Sequence, residues 1–150
     1  MKSSLCRVAG SVGFALFACV SSAQSDQLAP TRITAAEIKW EQGGPSGVQR
    51  AALVGSDKKS GMYVYRVRFP AGHRVQPHFH PDERVVTVIS GSLSIGFGER
   101  FDESSMKDLS VGSVWTEPPK QPHFVFTKDG VEFQVVGSNG PSANTPIEQK

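Results

Sequence analysis

Short stretches in which apolar and polar residues alternate follow one another along the chain from position 48. Between 62 and 69, for example, Tyr63, Tyr65, Val67 and Phe69 fall on one face and two arginines on the other. Alternation with a period of two is typical of a half-buried β-strand. Further strands are predicted at 48–54, 85–89, 92–97, 113–116, 123–127 and 131–136. Because helical character is confined to a capped turn at 34–37 and one or two turns within 98–110, the pattern predicts an all-β sandwich or small barrel.

The first 23 residues have the pattern of an export signal. Lys2 and Arg7 provide positive charge, the apolar run 8–20 carries none, and small residues at 21 and 23 suit cleavage before Gln24. A membrane anchor is the alternative, but this run is short for a membrane span, which needs about 20 residues. Lipidation at Cys19 is a further, minor alternative. The sequence thus predicts a periplasmic or secreted protein that is not held at a membrane after processing.

Composition and charge narrow the function classes. The 150 residues suit a single domain, and 16 basic against 14 acidic residues give a net charge of +2, which does not support nucleic-acid binding. Both cysteines, Cys6 and Cys19, would leave with the signal peptide, so the mature chain would depend on its core or a bound metal rather than on disulfides. A flexible leader is predicted at 24–32, a β-barrel domain at 33–137 and a flexible tail at 138–150.

Three of the four histidines are candidates for a metal site. His78 and His80 are two residues apart, so on a strand both imidazoles point to the same face. His123 begins another predicted strand, which a barrel can bring beside this pair. Imidazole is a common ligand of Fe, Mn, Ni, Cu and Zn. A His-x-His pair alone is a weak signal, because histidines two apart are common on protein surfaces, and its surroundings are needed to interpret it.

The spacing around these histidines resembles the two conserved motifs of the cupin superfamily. The residues that carry the resemblance are Gly72, His78, His80 and Gly91 for the first motif and Gly112, Pro118 and His123 for the second. The likeness covers residues 33–137. It implies a double-stranded β-helix, a jelly-roll barrel, with a divalent metal ion (Fe, Mn, Ni, Cu or Zn) in its mouth. It also implies that His78, His80 and His123 are metal ligands, together with a glutamate.

The glutamate is the point at which this sequence departs from the cupin pattern. Its usual position is occupied by Arg84, and Glu83 lies one place earlier, on the opposite face of a regular strand. A bulge at Pro81 would turn Glu83 inward as a ligand. The other interpretation is a three-histidine site completed by water, in which Glu83 acts as a catalytic general base. In the second motif, Lys120 replaces the usual glycine.

Two further sets of residues are candidates for the lining of a pocket. The arginines Arg66 and Arg84 are candidates for binding an anion. The aromatic residues are explained equally well as core packing or as an apolar wall, and they are Tyr63, Tyr65, Phe69, Phe97 and Trp115.

Two function classes remain open from the sequence. The first is a metalloenzyme of the oxygenase or isomerase type that acts on a small organic molecule, since an open metal position binds dioxygen, polarises a carbonyl or generates hydroxide. The second is a non-catalytic periplasmic module that binds a small ligand or a metal. A metal-free cupin that uses its histidines in acid–base chemistry is disfavoured, because it does not need all three. The open edges of a single jelly roll favour a homodimer.

Overall fold

The computed structural model describes residues 28–148, which contain ten β-strands and two 3-10 helices of three residues each. The helices are Ala35–Glu37 and Glu103–Ser105. The strands are β1 Gln49–Val54, β2 Gly61–Phe69, β3 Arg74–Phe79, β4 Arg84–Gly91, β5 Leu93–Phe97, β6 Lys107–Leu109, β7 Val114–Glu117, β8 His123–Phe126, β9 Val131–Gly140 and β10 Thr145–Pro146. The predicted signal peptide 1–23 and residues 24–27 of the predicted leader lie outside the described residues.

The strands form two five-stranded antiparallel sheets. The order is β1-β2-β9-β4-β7 in the first sheet and β10-β3-β8-β5-β6 in the second. Sequential strands repeatedly cross from one sheet to the other, as in a double-sheet jelly roll. The predicted all-β class and jelly-roll fold are therefore confirmed.

The core lies between the two sheets and follows the alternation seen in the sequence. On β2, Tyr63, Tyr65 and Val67 are buried. Arg68, which follows Val67, is exposed. Fully burying one large apolar side chain stabilises the fold by about 1.5–3 kcal/mol, so a one-residue slip of such a strand would be costly. The other members of the core cluster are Val86, Val88, Leu93, Ile95, Leu109, Trp115, Val125, Val131, Phe133 and Val135.

The helical excursion predicted within 98–110 is shorter than expected. Only Glu103–Ser105 is helical, and the Asp102 side chain caps this turn by accepting a hydrogen bond from the Ser104 backbone N–H at 2.9 Å. Residues Lys107–Leu109 instead form β6, which pairs with β5 and buries Leu109. The pairing satisfies backbone groups at the edge of the second sheet, and this outweighs a weak local preference for helix.

The segment predicted as a flexible tail, 138–150, is packed against the barrel over its described part. β9 continues to Gly140, and β10 adds to the edge of β3. Beyond β10, the Ile147 backbone N–H donates to the Pro77 carbonyl at 3.0 Å. The small and polar residues of this segment are typical of loops, but the free edge of β3 provides backbone partners that the sequence does not reveal. We call residues 141–147 the C-terminal strap.

The segment that precedes β1 contains the helical turn predicted at 34–37. The Glu37 carboxylate accepts hydrogen bonds from both the backbone N–H and the hydroxyl of Thr34, each at 2.8 Å. This is the reach-back contact of a capping box. Among the described residues, no helix is long and apolar enough to cross a membrane.

Candidate metal centre

The fold brings the three predicted histidine ligands together. His78, near the end of β3, and His123, at the start of β8, are direct partners across the ladder between these strands. His80 follows β3 two residues after His78. One ring nitrogen from each residue lies within 4.8 Å of the others, and all three side chains are buried. The trio therefore has the burial and convergence that a metal site requires.

Each imidazole is held by a backbone carbonyl on its far side. The Nδ1 atoms of His78, His80 and His123 lie 2.9, 2.7 and 3.2 Å from the carbonyl oxygens of Gln76, Ala143 and Gln121, respectively. A carbonyl oxygen only accepts hydrogen bonds, so Nδ1 carries the proton in each ring and Nε2 has a free lone pair. Metal-binding histidines are held in this way by partners of their other ring nitrogen.

Burial also favours the neutral form that ligates metals. Desolvation is the largest cause that lowers the pKa of all three imidazoles, and it lowers that of His80 to about 3. The Arg84 guanidinium acts in the same direction on each ring, because it repels a second positive charge. The rings are therefore neutral at neutral pH, with a proton on Nδ1 and none on Nε2.

A carboxylate that the sequence analysis did not select faces two of these rings. Glu117, at the end of β7, places Oε2 3.5 Å from Nε2 of His80 and Oε1 3.4 Å from Nε2 of His123. These distances are longer than an ordinary hydrogen bond. They are close to the separation of roughly 3.0–3.4 Å between neighbouring ligand atoms that surround one metal at about 2.1 Å. The Nε2 lone pairs of His80 and His123 face the Glu117 carboxylate, and none of these groups has a proton to donate to another. A cation between them would be attracted to all of them, so this donor set fits a divalent metal.

Glu117 belongs to a row of residues that crosses the first sheet. Tyr63 on β2 and Arg84 on β4 are both register partners of Gly137 on β9, and Arg84 is the partner of Glu117 on β7. A Cβ atom at Gly137 would lie 2.0 Å from the Tyr63 ring, so only glycine leaves room for this ring. Arg84 Nε donates to the Tyr63 hydroxyl at 3.0 Å across that space. The two sheets thus contribute different chemistry, with imidazoles from one and a charged row from the other.

The row is fixed at its far end by a buried hydrogen-bond network. The Tyr63 hydroxyl donates to Asp82, and the Ser142 hydroxyl donates to the other oxygen of Asp82 at 2.6 Å. Arg84 Nη2 donates to the same Ser142 hydroxyl. Burial and the bond to Asp82 raise the pKa of Tyr63 to about 12, so this hydroxyl stays protonated. The network sets the plane of the Arg84 guanidinium and leaves Nη1 as its nitrogen nearest Glu117, at 3.6 Å.

Opposite influences act on the Glu117 carboxyl. Burial raises its pKa, whereas the Arg84 cation and a 3.0 Å hydrogen bond from the Trp115 indole N–H lower it. The pKa of Arg84 is itself raised, because nearby tyrosines and the carboxylates of Glu117 and Asp82 outweigh its own burial. Arg84 therefore remains a permanent cation beside Glu117.

The structure does not bring Glu83 to the histidine trio. Its side chain is exposed, and Asp82 and Arg84 on either side of it are buried. No bulge turns position 83 inward, because β4 begins at Arg84 in regular register with Glu117. Neither the ligand role nor the general-base role considered for Glu83 has support from this geometry, and Glu117 provides the carboxylate at the site.

The turn that carries His123 keeps its shape despite Lys120. This residue adopts a left-handed backbone conformation, with φ of 61°, at the position where the cupin motif usually has glycine. Its backbone N–H donates to the His80 carbonyl at 2.7 Å, which ties the two motifs together. The strained conformation is thus held by a contact between the segments that carry His80 and His123.

A cavity of about 330 Å³ opens beside the trio. At its polar end it is lined by the three histidines, Arg84 and Glu117. Of the candidates for an apolar wall, Tyr65, Phe69 and Trp115 line it, whereas Tyr63 does not and Phe97 is 50% exposed. The size is within the usual range for a small-molecule pocket. Arg66 is not in this cavity, and it pairs with Glu132 at 3.0 Å.

Comparison with protein-family models shows to which family the chain belongs. The family model described as "ChrR Cupin-like domain" matches residues 29–141. The chain is a cupin. A search of curated proteins gives no significant match to the sequence.

Three solved structures that share this cupin fold are distant from the chain in sequence. The polyketide cyclase RemF from Streptomyces resistomycificus has a TM-score of 0.64 at 18% identity, over 81% of this chain and 88% of that one. An RmlC-like cupin from Shewanella frigidimarina NCIMB 400 has a TM-score of 0.61 at 19% identity, over 75% and 93%. KdgF from a Halomonas species has a TM-score of 0.59 at 18% identity, over 73% and 94%. At these identities the likeness supports the cupin fold and does not assign an activity.

Removal of the C-terminal strap from this cupin should weaken metal binding. The strap provides the Ala143 carbonyl that orients His80, and the Ser142 hydroxyl that bridges Asp82 and Arg84. Loss of such an outer partner typically costs 10–100-fold in metal affinity, so a chain that ends at Gly140 should lose roughly this factor. Competition with a coloured chelator measures it. Ser142→Ala keeps the Ala143 carbonyl, so an equal loss in both variants would assign the effect to Arg84 rather than to His80.

Stability of the metal-free cupin should fall as the pH is lowered below about 6.5. The three imidazoles remain neutral in the folded protein but bind protons in the unfolded chain. Each of them therefore lowers the free energy of unfolding by about 1.4 kcal/mol per pH unit until the pH reaches its pKa in the folded state. For His80 this pKa is about 3. Glu117 acts in the opposite sense, since its raised pKa favours the folded state at low pH, but it is one group against three. Urea unfolding at pH 7 and pH 5 measures the effect. Equal stability at the two values would contradict neutral, buried rings.

Proposed function

We propose that this cupin is a metal-dependent enzyme for a small organic molecule, with a divalent ion held by His78, His80, His123 and Glu117. The observation that carries the proposal is the convergence of three unprotonated ring nitrogens and a buried carboxylate at distances typical of shared metal ligands. Three neutral rings and one carboxylate suit Fe, Mn, Ni, Cu or Zn. The cavity beside them supports catalysis over storage, because it gives a small molecule access to the ion.

The identity of the metal bears directly on the type of chemistry. A bound ion of this kind supplies Lewis acidity or, for a redox-active metal, a position for dioxygen. Four protein ligands complete the coordination of a tetrahedral ion such as Zn²⁺, whereas a six-coordinate ion such as Mn²⁺ keeps open positions. An enzyme of the oxygenase or isomerase type therefore requires the second kind of ion in this site.

The chain's own residues prepare the cavity for such a reaction. Trp115 and Arg84 hold the Glu117 carboxylate from two sides. The protonated hydroxyl of Tyr63 and the Ser142 hydroxyl keep Arg84 in place. Apolar side chains along the rest of the cavity exclude water from the reacting groups, which strengthens every electrostatic interaction there.

Elemental analysis of residues 24–150 is the decisive first experiment. The protein should be purified after export, without a polyhistidine tag or a chelator. Close to one equivalent of a transition metal per chain is the expected result, and iron would direct the next assay to oxygen consumption. A protein that is empty and takes up none of the five metals would contradict the proposal and favour a metal-free ligand-binding module. Metal uptake without turnover of any small molecule would favour the non-catalytic metal- or ligand-binding module.

Two further properties complete the proposal. Export to the periplasm or medium is supported by the pattern of residues 1–23, and mass spectrometry of the mature protein tests cleavage before Gln24. A homodimer is supported by the open outer edges of β7 and β6. Light scattering coupled to size-exclusion chromatography tests it, and a monomer at all concentrations would exclude it.

A further inference from the structure

The cavity beside the histidine trio has a charged end at the trio and a large apolar wall, and the ion pair of Arg50 and Asp57 also belongs to its lining. Val67, Phe69, Trp115, Phe133 and Val135 form its wall, and all except Phe69 belong to the buried core cluster. Such a wall makes favourable apolar contacts only when the apolar part of a ligand covers it. The shape of the site thus suits a molecule with a single polar head.

The charges at the polar end determine the sign of that head. Arg84 offsets one of the two buried carboxylates, Asp82 and Glu117. A divalent cation on uncharged histidines therefore leaves an excess of one positive charge in a buried region. Arg50 and Asp57 also line the cavity, but they pair with each other at 3.0 Å and add no net charge. A single negative charge on the ligand would neutralise the site, whereas a neutral head would leave the excess unpaired.

Arg84 has a nitrogen in position for this anion. Its Nε and Nη2 atoms are already hydrogen-bonded to Tyr63 and Ser142. Nη1 lies 3.6 Å from Oε2 of Glu117, which is beyond hydrogen-bonding distance, and the same oxygen lies 3.5 Å from Nε2 of His80. The guanidinium and a proposed ligand nitrogen thus face the same carboxylate oxygen, and the other two nitrogens of the guanidinium are fixed by hydrogen bonds. An anionic oxygen beside Nη1 would form a charge-assisted hydrogen bond.

We propose that this cavity binds a small monocarboxylic acid, with its carboxylate beside Arg84 and the metal, and its apolar body against the wall. The inference rests on the metal site proposed above and adds the chemical class of the ligand. The apolar wall, the excess positive charge and the available Nη1 of Arg84 all favour a monocarboxylic acid. A dicarboxylate without an apolar body fits neither the charge nor the wall.

The experiment compares benzoate, benzamide and oxalate as probes of the metal-loaded protein. The chain has two tryptophans, Trp40 and Trp115, so a Trp40→Phe chain leaves Trp115 in the cavity wall as the sole indole reporter. Benzoate should bind about 10- to 100-fold more tightly than its neutral isostere benzamide, which is the range for loss of a hydrogen bond to a charged group. Oxalate should bind more weakly than benzoate. Without metal, the preference for benzoate should disappear, because the excess charge is then negative.

A conservative change of the arginine provides a second measurement. Arg84→Lys keeps a cation but loses the planar fork, so it should reduce benzoate binding about tenfold and leave benzamide binding unchanged. Arg66→Lys, outside the cavity, is the matched control and should change neither. Equal affinities for benzoate and benzamide, or tighter binding of oxalate, would overturn the inference. Metal uptake without benzoate binding would overturn this inference alone, whereas a failure to take up metal would overturn the proposed function with it.

Discussion

Replacing His78, His80 or His123 with alanine should abolish metal retention by the purified protein. Each ring contributes one of the three nitrogens that converge within 4.8 Å, so each substitution removes one donor from the set. Loss of an outer-shell partner already lowers metal affinity by 10–100-fold, so loss of a ligand itself should exceed about 100-fold. Elemental analysis and chelator competition measure content and affinity.

His73→Ala is the matched control for these variants. His73 is half-buried, packs against the Phe69 ring with centroids 4.5 Å apart, and lies outside the trio. It should keep full metal content. Added metal should also raise the free energy of unfolding of the wild type and of His73→Ala, by about 2.7 kcal/mol at a free metal concentration of 100 times Kd. The three ligand variants should show no such gain. Unchanged metal content in both His78→Ala and His80→Ala would contradict the site.

The histidine trio was predictable because its signal is local. His78 and His80 share a face through the period of two along a strand, and the spacing of the second cupin motif identifies His123. The contact between the two motifs depends only on β3 and β8 being neighbours, which the cupin fold ensures. Strand positions were predictable for the same reason, since alternation of burial sets the core face of each strand.

The carboxylate was not predictable in the same way. Glu117 follows Trp115 by two residues and so shares its inward face, which is a usable signal, but the strand predicted at 113–116 ended one residue before it. What makes Glu117 part of the site is its register with Arg84 on β4. That register is set by packing between distant segments, and a single sequence does not contain it. An arginine at the usual glutamate position is better explained together with its cross-strand partner than alone.

Edge strands were missed for a related reason. β6 and β10 are three and two residues long, and their sequences are typical of turns and tails. Both form because an unpaired edge, of β5 and of β3, offers backbone partners. Through β10 the strap reaches His80 and Arg84, so the missed element also contributes to the site.

Glu117→Gln should lower metal affinity, because it replaces the proposed carboxylate ligand with an amide. The loss should be no smaller than the roughly 10–100-fold that follows loss of a residue hydrogen-bonded to a metal ligand. The amide preserves the size of the side chain and an oxygen for the Trp115 indole N–H, so the main change is the loss of one negative charge. Without that charge, the Arg84 cation is no longer offset next to the bound ion, and the repulsion adds to the lost ligand bond. Chelator competition measures the affinity, and urea unfolding of the metal-free variant checks that it folds.

Glu83→Gln provides the matched control, because it makes the same chemical change one residue from Arg84 on an exposed side chain. It should leave metal affinity unaltered, which would also exclude Glu83 from the ligand set. The opposite pattern, with affinity lost in Glu83→Gln and retained in Glu117→Gln, would mean that segment 80–83, which connects β3 to β4, rearranges to bring Glu83 inward when metal binds. Retention in both variants would reduce the site to three histidines completed by solvent. In that case the Glu117 carboxylate would serve to neutralise Arg84 within the buried row rather than to bind the ion.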